Sequence, residues 1–220
     1  MDPPELLSLL ARSFADTEAD RPLPARLCEA CVDAFRADGG ALTVLADAED
    51  QVAVSTPGAF EQLEPLEEVL GEGPVHQALA ENRLVVMRIG AMVGEYPVFS
   101  HLAGLVAAGA TLYAVPMQVG SRVVGVLSLY GVLGREHRRA EDLQFAADVV
   151  GADLLRNAGL LNWTEKAPFH QATGMVAIQL GIRPEDASAL IRAHAFVRST
   201  SLLAVAEEVL QRRGMHFRDE

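Results

Sequence analysis

The sequence predicts an α+β chain: an antiparallel sheet with helices on both faces, a long coiled-coil-like linker helix, and three short C-terminal helices. Three observations carry this. Thr111 to Val119 and Val123 to Tyr130 are nearly continuous apolar runs joined by Gly120-Ser121-Arg122, which reads as a hairpin covered on both sides. Leu143, Ala147, Val150, Leu154 and Leu161 follow an alternating four-three spacing in one long helical pattern, with Asn157 at the remaining position. The net charge of −12 lies entirely in residues 1–161, whereas residues 162–220 hold seven Lys/Arg and seven Asp/Glu. Such a break marks a domain boundary, placed between residues 158 and 159, and leaves the tail free to approach an anion.

A chain of 220 residues holds one large or two modest domains at roughly 100–200 residues each. With half its residues hydrophobic and 22% charged it can bury a real core, which excludes disorder as the main state. No apolar run reaches the roughly 18 residues of a membrane span, so no membrane is expected. The opening MDPPELLSLLARSF carries acids where an export leader carries cations. Two cysteines are too few to staple a secreted scaffold, and a cytoplasmic location is the expectation.

The elements follow in order. Pro3 and Pro4 open a helix carrying Leu6, Leu7, Leu9 and Leu10, and a second runs from Pro24 through Leu27, Ala30, Cys31 and Ala34. Asp38-Gly39-Gly40 ends it. Ala41 to Leu45 and Val52 to Ser55 read as hairpin partners across the acidic turn Asp47 to Asp50. Phe60 to Leu70 alternates apolar and acidic residues at helical spacing up to Gly71-Glu72-Gly73-Pro74; Val75 to Ala80 is helical, Leu84 to Met87 a short strand, and Ser100 to Ala108 a short helix.

From Arg138 to about Leu161 runs the long helix. Its stripe is either the seam of a short coiled coil, with Asn157 fixing register, or the face a helix turns to its own domain. In the tail, Phe169, Ala172, Thr173, Val176 and Leu180 line one helix, which Gly181 stops. Pro184 opens the next, with Glu185 and Asp186 in its first turn and Ala187, Leu190, Ile191 and His194 inward. Ser201 caps the last, whose stripe is Leu202, Val205, Ala206 and Val209. Three helices this short bury little surface alone, so support from a partner copy or from the long helix is expected.

Candidate chemistry is sparse. Cys28 and Cys31 have half the spacing of a metal site, but no second pair exists and no histidine sits at ligand spacing, so they read as buried small hydrophobes. Gly120 and Gly125 have the glycine spacing of a phosphate loop without its Lys-Ser/Thr, and they lie in a hairpin. His76, His101, His137, His170, His194 and His216 form no close pair, and Gly-x-Ser-x-Gly is absent. Arg135, Arg138 and Arg139 read as a solvated helix start. No catalytic activity, metal or cofactor is expected.

Residues from about 5 to 158 resemble a GAF domain, a sensory module. The carrying residues are Gly71-Glu72-Gly73-Pro74 before a helix and Leu84-Val85-Val86, then Ala114-Val115-Pro116-Met117, Gly120, and Val124 to Tyr130. The resemblance implies a small-ligand pocket between the sheet and the helices around residues 60–105, either liganded or filled as a purely structural core. A bilin chromophore would want a cysteine there, and both cysteines lie in the early helix instead. The catalytic cysteines of free methionine sulfoxide reductases, which share the fold, have no counterpart after Cys31.

Residues from about 160 to 213, within the second domain at 159–220, resemble an ANTAR domain, the three-helix RNA-binding unit of bacterial transcription antiterminators. The match is Gln171-Ala172-Thr173-Gly174-Met175, then Gly181, Glu185, Ala187, Leu190 and Arg192, then Leu202, Val205, Ala206 and Val209. The family's usual lysine between alanine and glycine is Thr173 here, and Ala177 stands where methionine is frequent. The resemblance implies a signal-responsive homodimer that holds paired hairpins in a transcript leader and prevents terminator formation. Its RNA-binding candidates are Gln171, Ala172, Thr173, Gly174, Arg192, His194, Arg198 and Ser201. Ala172 and Gly174 would admit close backbone approach, or else close helix packing. Arg192 and Arg198, six apart, lie on different faces. The alternative is a ligand sensor whose terminal helices dock on a protein.

Overall fold

The hairpin at the centre forms as its pattern requires. In the computed structural model, which describes residues 2–45, 51–57, 62–90, 96–133, 139–157, 167–198 and 200–211, β4 (Thr111–Val119) and β5 (Arg122–Tyr130) pair antiparallel. The connection is the two-residue Gly120-Ser121, with Gly120 at φ +63°, the positive value that the first position of a tight hairpin turn demands. Arg122, assigned to the turn from sequence, belongs to the strand.

β1 (Gly39–Leu45), β2 (Gln51–Ser55) and β3 (Val85–Arg88) complete a five-stranded antiparallel sheet in the order β2-β1-β5-β4-β3. The turn at Asp47 to Asp50 lies outside the described residues. Register assigns the two faces. Gly40 and Leu42 of β1 stand beside Leu129 and Leu127 of β5, whereas Ala41 and Thr43 stand beside Ser128 and Val126.

α2 (Leu23–Phe35) packs on β1 and β2, α6 (Ala140–Arg156) packs on β4 and β5, and α1 (Pro3–Ala15) lies against both of these helices; α3 (Leu63–Leu70) leads into α4 (Pro74–Glu81), which packs on β3, β4 and β5, and α5 (Pro97–Ala107) precedes β4. The glycines show how closely they pack. A Cβ on Gly40 would lie 2.7 Å from Val32 of α2, and one on Gly151 of α6 would lie 3.0 Å from both Met117 and Val124. β4 and β5 have a bulge at Met117/Gln118, opposite Gly125. The displaced Gln118 N–H donates to Asp148 Oδ1 at 2.9 Å, and Gln144 Nε2 donates to the Pro116 carbonyl at 2.7 Å and to Asp148 at 2.8 Å. Helix α6 therefore satisfies the backbone groups that the bulge leaves open.

This packing corrects the coiled-coil reading. Leu143, Ala147, Val150 and Leu154 are all buried in the α6 face that packs on β4, β5 and α1, so the stripe is used within one chain and is closed to a second copy. Four-three spacing describes any amphipathic helix, and the sheet takes the face that a partner would need. Asn157 closes the helix, its Nδ2 donating to the Asp153 carbonyl at 2.9 Å. Arg135, Arg138 and Leu161 lie outside the described residues, as do Phe60, His137 and His216.

The chain divides into two compact units, Met1–Glu67 with Gly71–Leu161, and Glu68–Leu70 with Asn162–Glu220. In the second, α7 (Ala167–Leu180), α8 (Pro184–Val197) and α9 (Leu202–Gln211) enclose Ala172, Val176, Ala187, Ile191, Ala195, Leu202, Val205, Ala206 and Val209. Gly181, at φ +65°, ends α7, and the Ile182 N–H returns to the Ala177 carbonyl at 3.1 Å. Ser201 caps α9, its Oγ accepting from the Ala204 N–H at 3.1 Å. Leu180 is exposed rather than inward, Leu190 and His194 are only half-buried, and Ala195 takes the next core position. No single helix among the described residues is long and apolar enough to cross a membrane.

Gly125 provides a test of the sheet. Its Cβ would lie 2.1 Å from the Thr43 carbonyl oxygen and 2.5 Å from Met117 Cε, at φ +158°. Gly125→Ala must push β1 from β5, and a loss of about 1–3 kcal/mol or more is expected, read as a lower denaturant midpoint.

Candidate functional site

Two groups of side chains stand apart from ordinary packing, one in each unit. In the second unit the sequence-derived candidates separate by burial. Ala172 is fully buried in the three-helix core and offers no surface to a ligand, which corrects its reading as a contact residue. Thr173 is buried, its Oγ1 donating to the Phe169 carbonyl at 2.8 Å, so the hydroxyl turns back onto its own helix. Ser201 is exposed, with its oxygen engaged in the α9 cap.

Gln171 and Gly174 remain open. They lie three apart on the exposed face of α7, and Ile178, 86% exposed, continues the same stripe. A Cβ on Gly174 would meet nothing within 4 Å. Arg198 is exposed and reaches across to α9, pairing with Glu208 and lying 3.2 Å from His194 Nε2. Arg192 is half-buried, and its Nε is enclosed without a hydrogen-bond partner. The structure thus places Gln171 with Gly174 on one helix face and His194 with Arg198 at the α8–α9 side.

The group in the first unit was missed from sequence. Thr43, Ser128 and Tyr130 are the polar residues of otherwise apolar strand segments, and all three point to the α3 side of the sheet. Glu64 of α3 meets them: its carboxylate accepts from Tyr130 Oη at 2.6 Å and from Thr43 Oγ1 at 3.0 Å. Glu67, one turn on, is 1% exposed and accepts the Val75 N–H at 2.8 Å through Oε2, while Oε1 has no hydrogen-bond partner. Burial above all, then the neighbouring Glu64, pushes the Glu67 carboxyl well above its ordinary value, against the Val75 hydrogen bond. Burial, followed by the charges of Glu64 and Glu67, likewise raises the Tyr130 phenol.

A sequence signal existed. Acids at 64 and 67 lie on the helix stripe that also carries Leu63, so they face inward with it, and hydroxyl residues inside apolar strands need partners. The Gly71-Glu72-Gly73-Pro74 motif belongs to this group. Gly71, at φ +66°, ends α3, and Gly73, at φ +141°, lies against Glu67, where a Cβ would be 2.3 Å from Oε2. Nearby, Cys28 and Cys31 are free, buried thiols; burial pushes Cys31 up to about 12, outside the range of a reactive thiolate. Among the described residues no group of three His, Cys, Asp or Glu side chains is placed to hold a metal ion.

With these features described, comparison with known proteins gives a likeness of fold. The chain is similar to the GAF domain of a phosphoenolpyruvate-protein phosphotransferase from Coxiella burnetii, at 14% identity and TM-score 0.47, covering 72% of this chain and 98% of that one. The corresponding Acinetobacter domain aligns at 12% identity and TM-score 0.47, over 72% and 96% of the two chains. Free methionine-R-sulfoxide reductase from Neisseria meningitidis, solved with its substrate, aligns at 15% identity and TM-score 0.45, over 73% and 95%. No protein-family model matches the sequence. No curated protein matches it either.

The Tyr130–Glu64 hydrogen bond is testable by itself. Tyr130→Phe removes a buried donor and leaves the carboxylate one bond short, so the first unit is expected to lose about 1–3 kcal/mol. Chemical denaturation should show a lower midpoint at unchanged slope.

Proposed function

We propose that the chain is a cytoplasmic regulator without catalytic activity, in which a GAF-type sensor unit governs an ANTAR-type unit that binds RNA. Holding hairpins of a transcript leader, it keeps the terminator from forming. The observation that carries this reading is Gly174. A glycine in the middle of a helix costs about 0.5–1 kcal/mol relative to alanine. Here no packing demands it, because a side chain would meet open space. What a bare backbone on an exposed helix face provides is close approach by a ligand, and Gln171 beside it carries an amide able to donate to and accept from base edges.

His194 of α8 and Arg198, just beyond its end, supply an imidazole ring and a guanidinium plane on which bases can stack. The acidity of the whole chain is no obstacle, since residues 162–220 are neutral in sum. Two hairpins call for two copies of the RNA-binding unit, and the pairing surface is not the buried α6 stripe. A second reading, a protein partner in place of RNA, draws on the exposure of Ile178 and of Val197, which is 80% exposed.

The two readings part on one variant. Gly174→Ala is expected to stabilise the second unit by about 0.5–1 kcal/mol while weakening binding to a two-hairpin RNA about tenfold or more. Wild-type affinity should fall with salt at a log–log slope of about −0.7 per single-strand phosphate contact. Equal, salt-insensitive binding to hairpin RNA and duplex DNA, unchanged by the variant, would sink the RNA reading.

A further inference from the structure

We propose that Glu67 is a proton-operated gate in the first unit: as the neutral acid it keeps the α3–α4 turn folded around its carboxyl, and as the carboxylate it releases that turn. This names a signal for the sensor half of the reading above and rests on that half alone.

The geometry comes first. The turn is moulded onto the Glu67 carboxyl. Val75 N–H at the start of α4 donates to Oε2 at 2.8 Å, and Gly73 lies so close that no side chain fits between. Pro74 and Val75 are buried over the same group. The other oxygen, Oε1, is enclosed with no hydrogen-bond partner among the described residues, so nothing there stabilises a negative charge.

Charge comes second. Glu64, 6% exposed, receives two hydroxyl donors, from Thr43 and Tyr130, and these suit an ionised carboxylate. The negative charge of the pair therefore sits on Glu64. A second carboxylate one helical turn away in the same buried site is strongly disfavoured.

Glu64 faces Glu67 from α3 and Tyr130 faces it from β5, and Cys28 of α2 acts on Glu64. Glu72 in the turn and His76 on α4 are the remaining titratable side chains of the segment. Among the groups acting on Glu67, the Val75 amide is the one that favours its anion. When Glu67 gives its proton to water, its charge goes from zero to minus one. The new charge must then reach solvent, which means leaving Val75 and Gly73.

The folded state keeps a proton that the unfolded chain sheds near the ordinary value of 4.5, so this group's stabilisation is complete below that pH. It is lost as pH rises through the elevated folded-state value. Glu67→Gln keeps the shape and an acceptor for Val75 but cannot ionise, so it removes that slope.

Hydrogen exchange on the full chain, corrected for the intrinsic pH dependence of amide exchange, tests the gate. With rising pH the wild type should lose protection across Gly71–Glu81 while α9 keeps its own, and Glu67→Gln should stay protected throughout. Infrared spectra of the wild type give a measurement that does not depend on the variant folding. A protonated-carboxyl band should persist above the ordinary carboxyl range and disappear with the same midpoint as the loss of protection. Absence of that band above the ordinary carboxyl range, or unchanged exchange across its disappearance, would overturn the gate. Neither measurement uses RNA, so this proposal and the RNA reading fail separately.

Discussion

Burial of both faces of the β4–β5 hairpin is the constraint on which the rest of the first unit depends. Its two strands are apolar at nearly every position, so neither face can be left to water. Helices α6 and α4 pack against both strands, and Glu64 of α3 meets the side to which Tyr130 points. The bulge at Met117/Gln118 adds a polar requirement to the apolar one. Asp148 and Gln144 of α6 meet it, which fixes where that helix lies along the strands.

The second consequence lies on the opposite face. Thr43 and Tyr130 place hydroxyls in a largely apolar interior, and Glu64 of α3 accepts from both, with Glu67 buried one turn away. A buried acid pair is a poor device for stability, because desolvation penalises each charge and the two repel. Its retention at the joint between α3 and α4, wrapped by a glycine turn, accords with a group kept for response rather than for cohesion.

The second unit follows a different logic. Alanines and branched aliphatics fill its centre, which allows three short helices to pack closely around a small core. The polar residues of its sequence motif sort into those turned inward and those left outside. Thr173 and Ala172 are inside, whereas Gln171 and Gly174 are outside, although all four are consecutive in the chain. A helix advances about 100° per residue, so a four-residue motif necessarily spans both a packing face and an exposed one.

Much of this was legible in the amino-acid order. Strand alternation, the Gly120 turn, Pro184 at a helix start, Gly181 at a helix end and the Ser201 cap are local signals, governed by dihedral preference and by hydrogen bonds only a few residues long. What α6 packs against was not legible, since Leu143, Ala147, Val150 and Leu154 suit a partner helix and a sheet equally. Nor was the meeting of Glu64 with Tyr130, 66 residues apart in the chain. Sequence alone determined which segments are helix or strand and where they stop, because those choices are made within a few residues. Tertiary structure decided which apolar stripe is already covered and which acids lose their water, because burial belongs to the assembled fold and to no residue by itself.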